Sequence, residues 1–502
     1  MDIVFSMSPL LFCVVAVCVL VIGYYIVVYK RPLAWIPGPT PYPFFGNVLQ
    51  LQPTKSHVNL HDLSKKYGGV FKFFFFDQPI VVVSDFNALN TLLVSKPTDF
   101  ADRPNNFRSK ILTMDFAGII MTDWNEKVKG RRKVAHSYLK QFGSGMQKLE
   151  NVAMEATDEM IDRIEAHGGK AFEMRPVLAR CTADMTYILL IGKTLIHDDS
   201  ESANLVDLVD DWIKVSSKSM LGEFLDHFPM MSFAFKDFMS RIQQVVKLQE
   251  KIIKDWLRGD VTEGFVGYLK TMSQEKKEQF CVSEEKEQIM VTFDIFMAGA
   301  FTTASSLSML VNVLAQMPEK QSKLREEVYQ VLGREQRPTL ADRPSMPYLN
   351  ATILELNRFA SIAAFAAPHK VTRDTELNGL YIPKGTETIM NLWSLHHQEK
   401  IWGDPYNFRP ERYLDDDGNV ISADHPNRKN NFTFGAGSRV CIGEIFASQR
   451  MFLIMARMIQ RFEILPETTI EAQPSMHPRD AIGLGQGIAP PTYKVRLIPL
   501  AQ

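Results

Sequence analysis

The chain has no basic excess and little cysteine. Across 502 residues, 56 lysines and arginines nearly cancel 57 aspartates and glutamates. A general nucleic-acid binder carries net positive charge to meet phosphates, so that class is excluded. The five cysteines, Cys13, Cys18, Cys181, Cys281 and Cys441, form no C-x-x-C pair. An odd, scattered set is neither a zinc ribbon nor a disulfide framework, and it places the main body in a reducing compartment. No internal repeat of roughly 20–50 residues and no low-complexity tract occurs, which removes solenoids and arrays. Proline is scarce in the middle: between Val177 and Arg337 there are only Pro229 and Pro318, which favours a long helical stretch. What is present is apolar mass, 46% of residues against 23% charged, enough for a large core.

Charge is also absent from residues 3–29. The stretch LLFCVVAVCVLVIGYYIVV, residues 10–28, spans a bilayer core of ~30 Å at ~1.5 Å per residue. Tyr24, Tyr25 and Tyr29 are expected at headgroup level, and Lys30 and Arg31 follow at once while the leading end offers only Asp2. The positive side stays cytosolic, so the body is expected in the cytosol and the N-terminus in the lumen. A cleaved signal peptide needs a basic leader and a shorter apolar core of ~7–15 residues. The expected organisation is a signal anchor over 1–29 and a body over 30–502, joined by a proline-rich hinge over 32–43 that is stiff where a Gly/Ser linker would be floppy.

Within the body, GVFKFFFFDQPIVVVSD at 69–85 reads as two strands paired around Asp77-Gln78-Pro79. Residues 375–391 return to strands separated by the turn signals Asn378-Gly379 and Pro383-Lys384-Gly385. Residues 493–497 read as a final strand. The fold class expected is mainly α with small β-sheets drawn from both ends of one large domain.

One helix of some 30 residues is expected between Ser283, as its cap, and Pro318, its stop. Its middle, Ala298-Gly299-Ala300-Phe301-Thr302-Thr303, is small enough to let another helix or a ligand approach the backbone. Further on, FGAGSRVCIGE at 434–444 surrounds Cys441 with Gly435, Gly437 and Gly443. Glycines allow a tight loop whose amides face the sulfur and hold it as a thiolate. Phe434 can shield one side, and Arg439 can meet an anionic ligand group in a fork.

The pattern F-x-x-G-x-R-x-C-x-G resembles that of the cytochrome P-450 superfamily, and the resemblance runs through essentially the whole chain. It implies the cytochrome P-450 fold behind one N-terminal transmembrane helix, and haem b with Cys441 as its axial thiolate. Such a thiolate favours O–O cleavage. Glu355-Leu356-Asn357-Arg358 matches the family E-x-x-R, and Asn407 to Tyr413 (NFRPERY) matches the loop whose arginine joins that pair. By resemblance, Glu355, Arg358 and Arg412 form a structural triad. Arg103, Arg132, His369 and Arg439 fall where the family binds haem propionates. Ala298, Gly299 and Thr302 fall on the oxygen and substrate side. His396-His397 is read as structural, because neighbouring residues point different ways. The C-terminal third looks most like steroid 17-alpha-hydroxylase/17,20-lyase and its relatives. It does so at PHK (368–370), at GTE (385–387) leading to NLW and LHH, and at CIGEIFASQRMFLIMARMIQRFEIL (441–465).

Three departures stand out. Phe301 occupies the position of the usual acid before Thr302, and a phenyl ring cannot relay protons. Val128 stands where a tryptophan usually lies four residues before the haem-binding arginine, with Trp124 a turn away. Ser361 replaces the proline after E-x-x-R. The reading carried forward is a membrane-anchored monooxygenase in the endoplasmic reticulum membrane, single-pass, with its catalytic domain cytosolic. It inserts one oxygen atom of O2 into a small lipophilic substrate, a steroid among the candidates. Electrons come from an NADPH-cytochrome reductase, with cytochrome b5 as a further donor. Two alternatives stay open: a reductase-independent isomerase or dehydratase of oxygenated lipids, which tolerates the lost acid, and a non-catalytic haem-binding sensor. The small and apolar residues 362–367, with a C-terminal loop at 481–487, are expected to line the pocket. The apolar segment 227–235 is expected to touch the membrane. Lys127, Lys129, Arg131 and Lys133 crowd one short segment; alternate spacing spreads them around a helix, but Lys129 and Lys133 share a face that is expected to meet an acidic reductase domain.

Overall fold

The computed structural model describes residues 9–141, 147–195, 199–217 and 219–500. The leading end of the expected anchor, residues 1–8, lies outside these. The apolar run forms helix Pro9–Tyr25, which widens into a π-helical turn over Ile26–Lys30. Together they are long and apolar enough to cross a membrane. The base of this helix is tied to the body. Tyr24 stacks on Phe44 at 5.1 Å, the Tyr25 hydroxyl donates to the Pro41 carbonyl at 3.2 Å, and Tyr29 is buried edge-on against Phe74 at 5.2 Å. The three tyrosines therefore pack on hinge and sheet at the base of the span.

The hinge lies along the first strand. Lys72 N–H donates to the Pro37 carbonyl at 2.8 Å, and Asn47 Oδ1 accepts from Phe74 N–H at 2.9 Å. Gly38 is required there, because a Cβ would sit 2.3 Å from the Lys72 carbonyl oxygen.

Strands Val70–Phe75 and Gln78–Val83 pair antiparallel, as the Phe and Val runs over 69–85 predict. The turn falls at Phe76-Asp77, with Phe76 at φ 51°, one residue earlier than expected, and Pro79 lies inside the strand opposite Phe74. Phe75–Gln78 closes the two-residue loop, so Phe74–Pro79 is a non-hydrogen-bonded pair whose missing N–H faces outward. Parallel pairing with Glu387–Met390 begins only at Ile80, so proline removes no bond there either. His369–Lys370 completes the sheet, which joins both halves of the chain. Thr375–Leu377 and Leu380–Ile382 form a hairpin on Asn378-Gly379, both in the left-handed region at φ 50° and 77°. The last strand, Lys494–Pro499, pairs with Phe462–Pro466 and with Phe172–Glu173.

The organising element is helix Glu285–Gln316, 32 residues and about 48 Å long. Its cap is Glu284, one residue later than expected. Glu284 and Glu287 form a reciprocal capping box, and two carboxylates suit the positive helix end. By length and composition this helix too passes as a membrane span, yet most of it is buried inside the protein. It threads two hydrophobic clusters. Ile289, Phe293, Phe296 and Ala300 belong to one, with Leu189 and Leu190. Ala304, Leu307, Leu310 and Leu314 belong to the other, with Met185 and Ile188. The small-residue stretch 298–303 lies at their junction. There Gly299 lets helix Met174–Ile191 approach so closely that a Cβ would meet Thr186 Cγ2 at 2.8 Å.

Candidate active site

The cysteine loop is built by its glycines. Gly435 and Gly437 adopt φ 67° and 64°, and Cys441 N–H donates back to the Phe434 carbonyl at 2.9 Å. A side chain at Gly437 would overlap the Leu93 carbonyl, so only glycine fits. Burial pushes the Cys441 thiol up, while the amides of Gly443 and Glu444 and the Arg132 charge favour the thiolate. Helix Glu444–Arg461 starts directly after the loop and points its positive end at the sulfur. Although the protein encloses it, Cys441 opens onto a cavity of about 390 Å³.

That cavity gathers nearly all the residues singled out from the sequence. Arg103, Arg132, His369, Phe434, Arg439 and Cys441 line it, as do Ala298, Gly299 and Thr302. Arg103 is 5% exposed and fans out to three carbonyls, those of Ile120 (2.8 Å), Ala367 (3.2 Å) and Pro368 (2.8 Å). Arg439 spans Ala101, Ile119 and Thr122. Arg132 donates to the Val440 carbonyl at 2.7 Å, and His369 Nδ1 meets the Phe100 carbonyl at 2.5 Å.

Among the described residues, no carboxylate pairs with Arg103, Arg132 or Arg439. Their charges sit against each other. Burial and then Arg439 and Arg132 depress Arg103, burial and then Arg132 bring Arg439 to about 10, and burial with Arg103 holds His369 neutral. Buried Arg103 and half-buried Arg132 and Arg439 face one cavity without an ion-pair partner among the described residues, with only the more distant Asp102 and Asp123 pulling on Arg439, and such a cluster is a setting for two carboxylates. With an amide-backed thiol in the same cavity, the donor set fits haem.

On the far wall, the Thr302 hydroxyl donates to the Ala298 carbonyl at 2.8 Å. Phe301 packs against the cluster of Ile289, Phe293 and Phe296 and does not line the cavity. Ile362, Ala363, Ala366 and Ala367 line it as expected. The C-terminal loop differs from expectation: residues 482–489 form a hairpin that stands behind this segment. Phe365 N–H donates to the Gln486 carbonyl and Ile488 N–H to the Ile362 carbonyl.

Two charged residues in the cavity were missed. Asp294 is buried, and its Oδ2 accepts from the amides of Ile119 (2.5 Å) and Ile120 (3.1 Å). Burial lifts its pKa to about 6, against the pull of those amides and Arg131. It stands four residues before Ala298 and eight before Thr302, so helical periodicity alone could have placed it on their face. Arg450 lies nine residues past Cys441 in the run QRMFLIMARMI, where nothing marks it out.

Support around the site follows the motif reading. Arg358 grips Glu355 through Nε (2.8 Å) and Nη2 (2.7 Å), fully buried, and Arg412 Nε reaches the same carboxylate at 3.3 Å. Glu355 and Arg358 lie on helix Pro347–Ala360, which Ser361 ends in the left-handed region at φ 41°, a value proline cannot adopt, and the Ser361 hydroxyl meets His396 Nδ1 at 2.7 Å. His397 Nδ1 meets the Trp393 carbonyl, and its ring stacks on Trp393. Val128 is core, while Trp124 lies under the Arg439 guanidinium at 5.0 Å. Lys129 and Lys133 are exposed, while Arg131 is buried on Glu287. Segment 228–233 is exposed, with Met230 at 86% and Phe233 at 70%.

The family described as Cytochrome P450 matches residues 36–495. Among similar proteins, Cytochrome P450 1A1 of Opsanus tau is 31% identical over 499 residues, covering 93% of this chain and 93% of that protein. Cytochrome P450 1A1 of Oryctolagus cuniculus is 32% identical over 464 residues, covering 88% of each. Cytochrome P450 1A1 of Rattus norvegicus is 31% identical over 500 residues, covering 94% and 93%.

Proposed function

The chain belongs to the cytochrome P450 family, and from that premise we propose that Cys441 is the axial thiolate and that Arg103, Arg132, Arg439 and His369 hold the haem carboxylates. The enzyme is a haem-thiolate monooxygenase. When bound, the haem supplies oxygen activation, taking two electrons and placing one oxygen atom of O2 into a C–H bond. The protein supplies the rest. The Gly443 and Glu444 amides and the helix dipole favour negative charge on Cys441, against burial and the Glu444 carboxylate, and a bound metal would complete the stabilisation. Phe434 shields that side. The three arginines neutralise the carboxylates. Thr302, with its hydroxyl hydrogen on the Ala298 carbonyl, keeps its oxygen lone pairs for a water or a substrate hydroxyl.

The observation that carries this reading is the meeting, in one cavity, of an amide-backed thiol and three guanidiniums without an anion. The substrate is lipophilic, because the wall at 362–367 is small and apolar. A steroid is one candidate, from the resemblance noted in the sequence of the C-terminal third. Electrons come from an NADPH reductase, aided by cytochrome b5. The span over 1–29 holds the catalytic domain, 30–502, on the cytosolic face of the endoplasmic reticulum.

Reduced protein under carbon monoxide is expected to show the red-shifted Soret band of thiolate ligation, and Cys441→Ser to lose it. An unchanged band in the variant rejects the ligand. A panel of steroids, fatty acids and aromatic compounds, read by the shift in the haem spectrum, tests the substrate class. NADPH consumption with a reductase tests the donor, and lipid-peroxide turnover without it would overturn that part.

A further inference from the structure

Arg450 is a buried charge with no counter-ion. It is 2% exposed and lines the same cavity as Cys441. Its Nη1 donates to Thr186 Oγ1 at 2.9 Å and to the Thr182 carbonyl at 3.4 Å. Its Nη2 donates to Thr303 Oγ1 at 2.9 Å and to the Gly299 carbonyl at 3.1 Å. Nε has no partner. The guanidinium carbon lies 4.1 Å from the centre of the Phe446 ring. Among the described residues, no carboxylate pairs with it. The one ionisable group pulling on it is Cys181, a thiol that burial keeps protonated. Burial lowers Arg450 to about 9, so it remains charged at neutral pH.

Such a group opposes stability. Neutral acceptors satisfy the hydrogen bonds but not the charge, and a buried cation without an anion costs several kcal/mol. A methionine would fill the same space between three helices without that penalty. The charge also lies beyond the reach of mobile ions, so salt does not screen it. Adding one electron to a bound redox group makes that group one unit more negative. A fixed, unscreened positive charge in the same cavity favours the reduced form.

We propose that Arg450 raises the reduction potential of the bound haem, acting as a permanent internal counter-charge to the incoming electron. In this step one electron passes from the donor to the iron, and no bond to the protein forms or breaks. The inference rests on the haem-thiolate reading above, but not on any substrate.

The test is a spectroelectrochemical titration of the haem-loaded protein, wild type against Arg450→Met and Arg450→Lys, at low and high salt. The carbon monoxide spectrum of each is recorded first. The expected result is a lower midpoint potential in the methionine variant, a near-wild-type value in the lysine variant, the same Soret position in all three, and a shift that survives high salt. A wild-type potential in a haem-replete methionine variant overturns the proposal. If that variant does not fold, Arg450→Gln keeps hydrogen-bond donors and loses the charge, and a wild-type potential there overturns it equally. If neither neutral variant retains haem while lysine does, the charge serves binding, and the proposal is rejected. A wild-type protein without the thiolate-type spectrum is a failure of the Cys441 assignment, which this order of measurement separates from a failure of Arg450.

Discussion

The Arg131 guanidinium meets the Glu287 carboxylate at 2.7 Å, and both are buried. The pair fastens helix Glu126–Gln141 to the first turn of the central helix. Arg131 also donates to the carbonyls of Cys281, Phe116 and Gly118. Removing one partner of a buried pair leaves the other charge uncompensated, so Arg131→Met is expected to destabilise the protein by about 3–5 kcal/mol. Denaturant unfolding of the two proteins measures this, and a loss below about 1 kcal/mol refutes it.

Lys129 and Lys133 are the outward half of the same helix. Lys129 pairs with exposed Glu126 and lies over Trp124, and Lys133 lies over Phe280. Surface pairs of this kind contribute little to folding. Lys129→Glu with Lys133→Glu is expected to leave stability within about 0.5 kcal/mol, to slow haem reduction by the reductase at low ionic strength, and to leave dithionite reduction unchanged. Stopped-flow reduction at two salt concentrations measures it. Equal rates for wild type and variant would rule out this face as the docking site.

Asp294 makes stability depend on pH. Its folded pKa, about 6, lies above the unfolded value. The penalty is therefore absent below about pH 4, grows as pH rises towards 6, and is complete above that, at about 3 kcal/mol. Asp294→Asn keeps an oxygen for the Ile119 and Ile120 amides and removes the titration. The difference in unfolding free energy between variant and wild type is expected to grow in the variant's favour from pH 4 to pH 6.5 and then level off. A constant difference across that range would contradict it.

The exposed side chains of Met230 and Phe233 are expected to act as a second membrane contact. Protein lacking residues 1–29 is expected to remain partly bound to vesicles at low and at high salt. Met230→Ser with Phe233→Ser in that background is expected to release it. Flotation assays read the outcome, and a truncated protein that is fully soluble under both conditions removes the contact.

Local features were legible in the sequence where residue types leave one choice. The left-handed turn at Asn378-Gly379, the glycines around Cys441 and the β-prone Phe and Val runs over 69–85 each specify backbone geometry within a few residues. Where two residues compete for one role, the reading slipped. Ser283 is the better cap by type, but Glu284 wins because Glu287 answers it from the next turn. Arg131 reads like its lysine neighbours, and only the fold brings Glu287 to it. Asp294 and Arg450 acquire their chemistry from burial, and burial depends on helices far apart in the chain. The meeting of Arg103, Arg132, His369 and Arg439 was reached through resemblance. No local spacing links residues separated by more than three hundred positions.

The docked hinge has a mechanical consequence. Lys72 fixes the chain twice, with its amide on the Pro37 carbonyl and its ammonium on the Leu33 carbonyl. Leu33 and Ile36 are themselves buried. With the span in a bilayer, almost no slack remains between the point of exit and the first fixed contact. The body then behaves as a stud and not as a ball on a leash. It turns about the bilayer normal, slides sideways, and tilts only as the span itself tilts. A donor anchored in the same sheet of lipid would then have a nearly planar search to perform, in which height is already set and heading must be found.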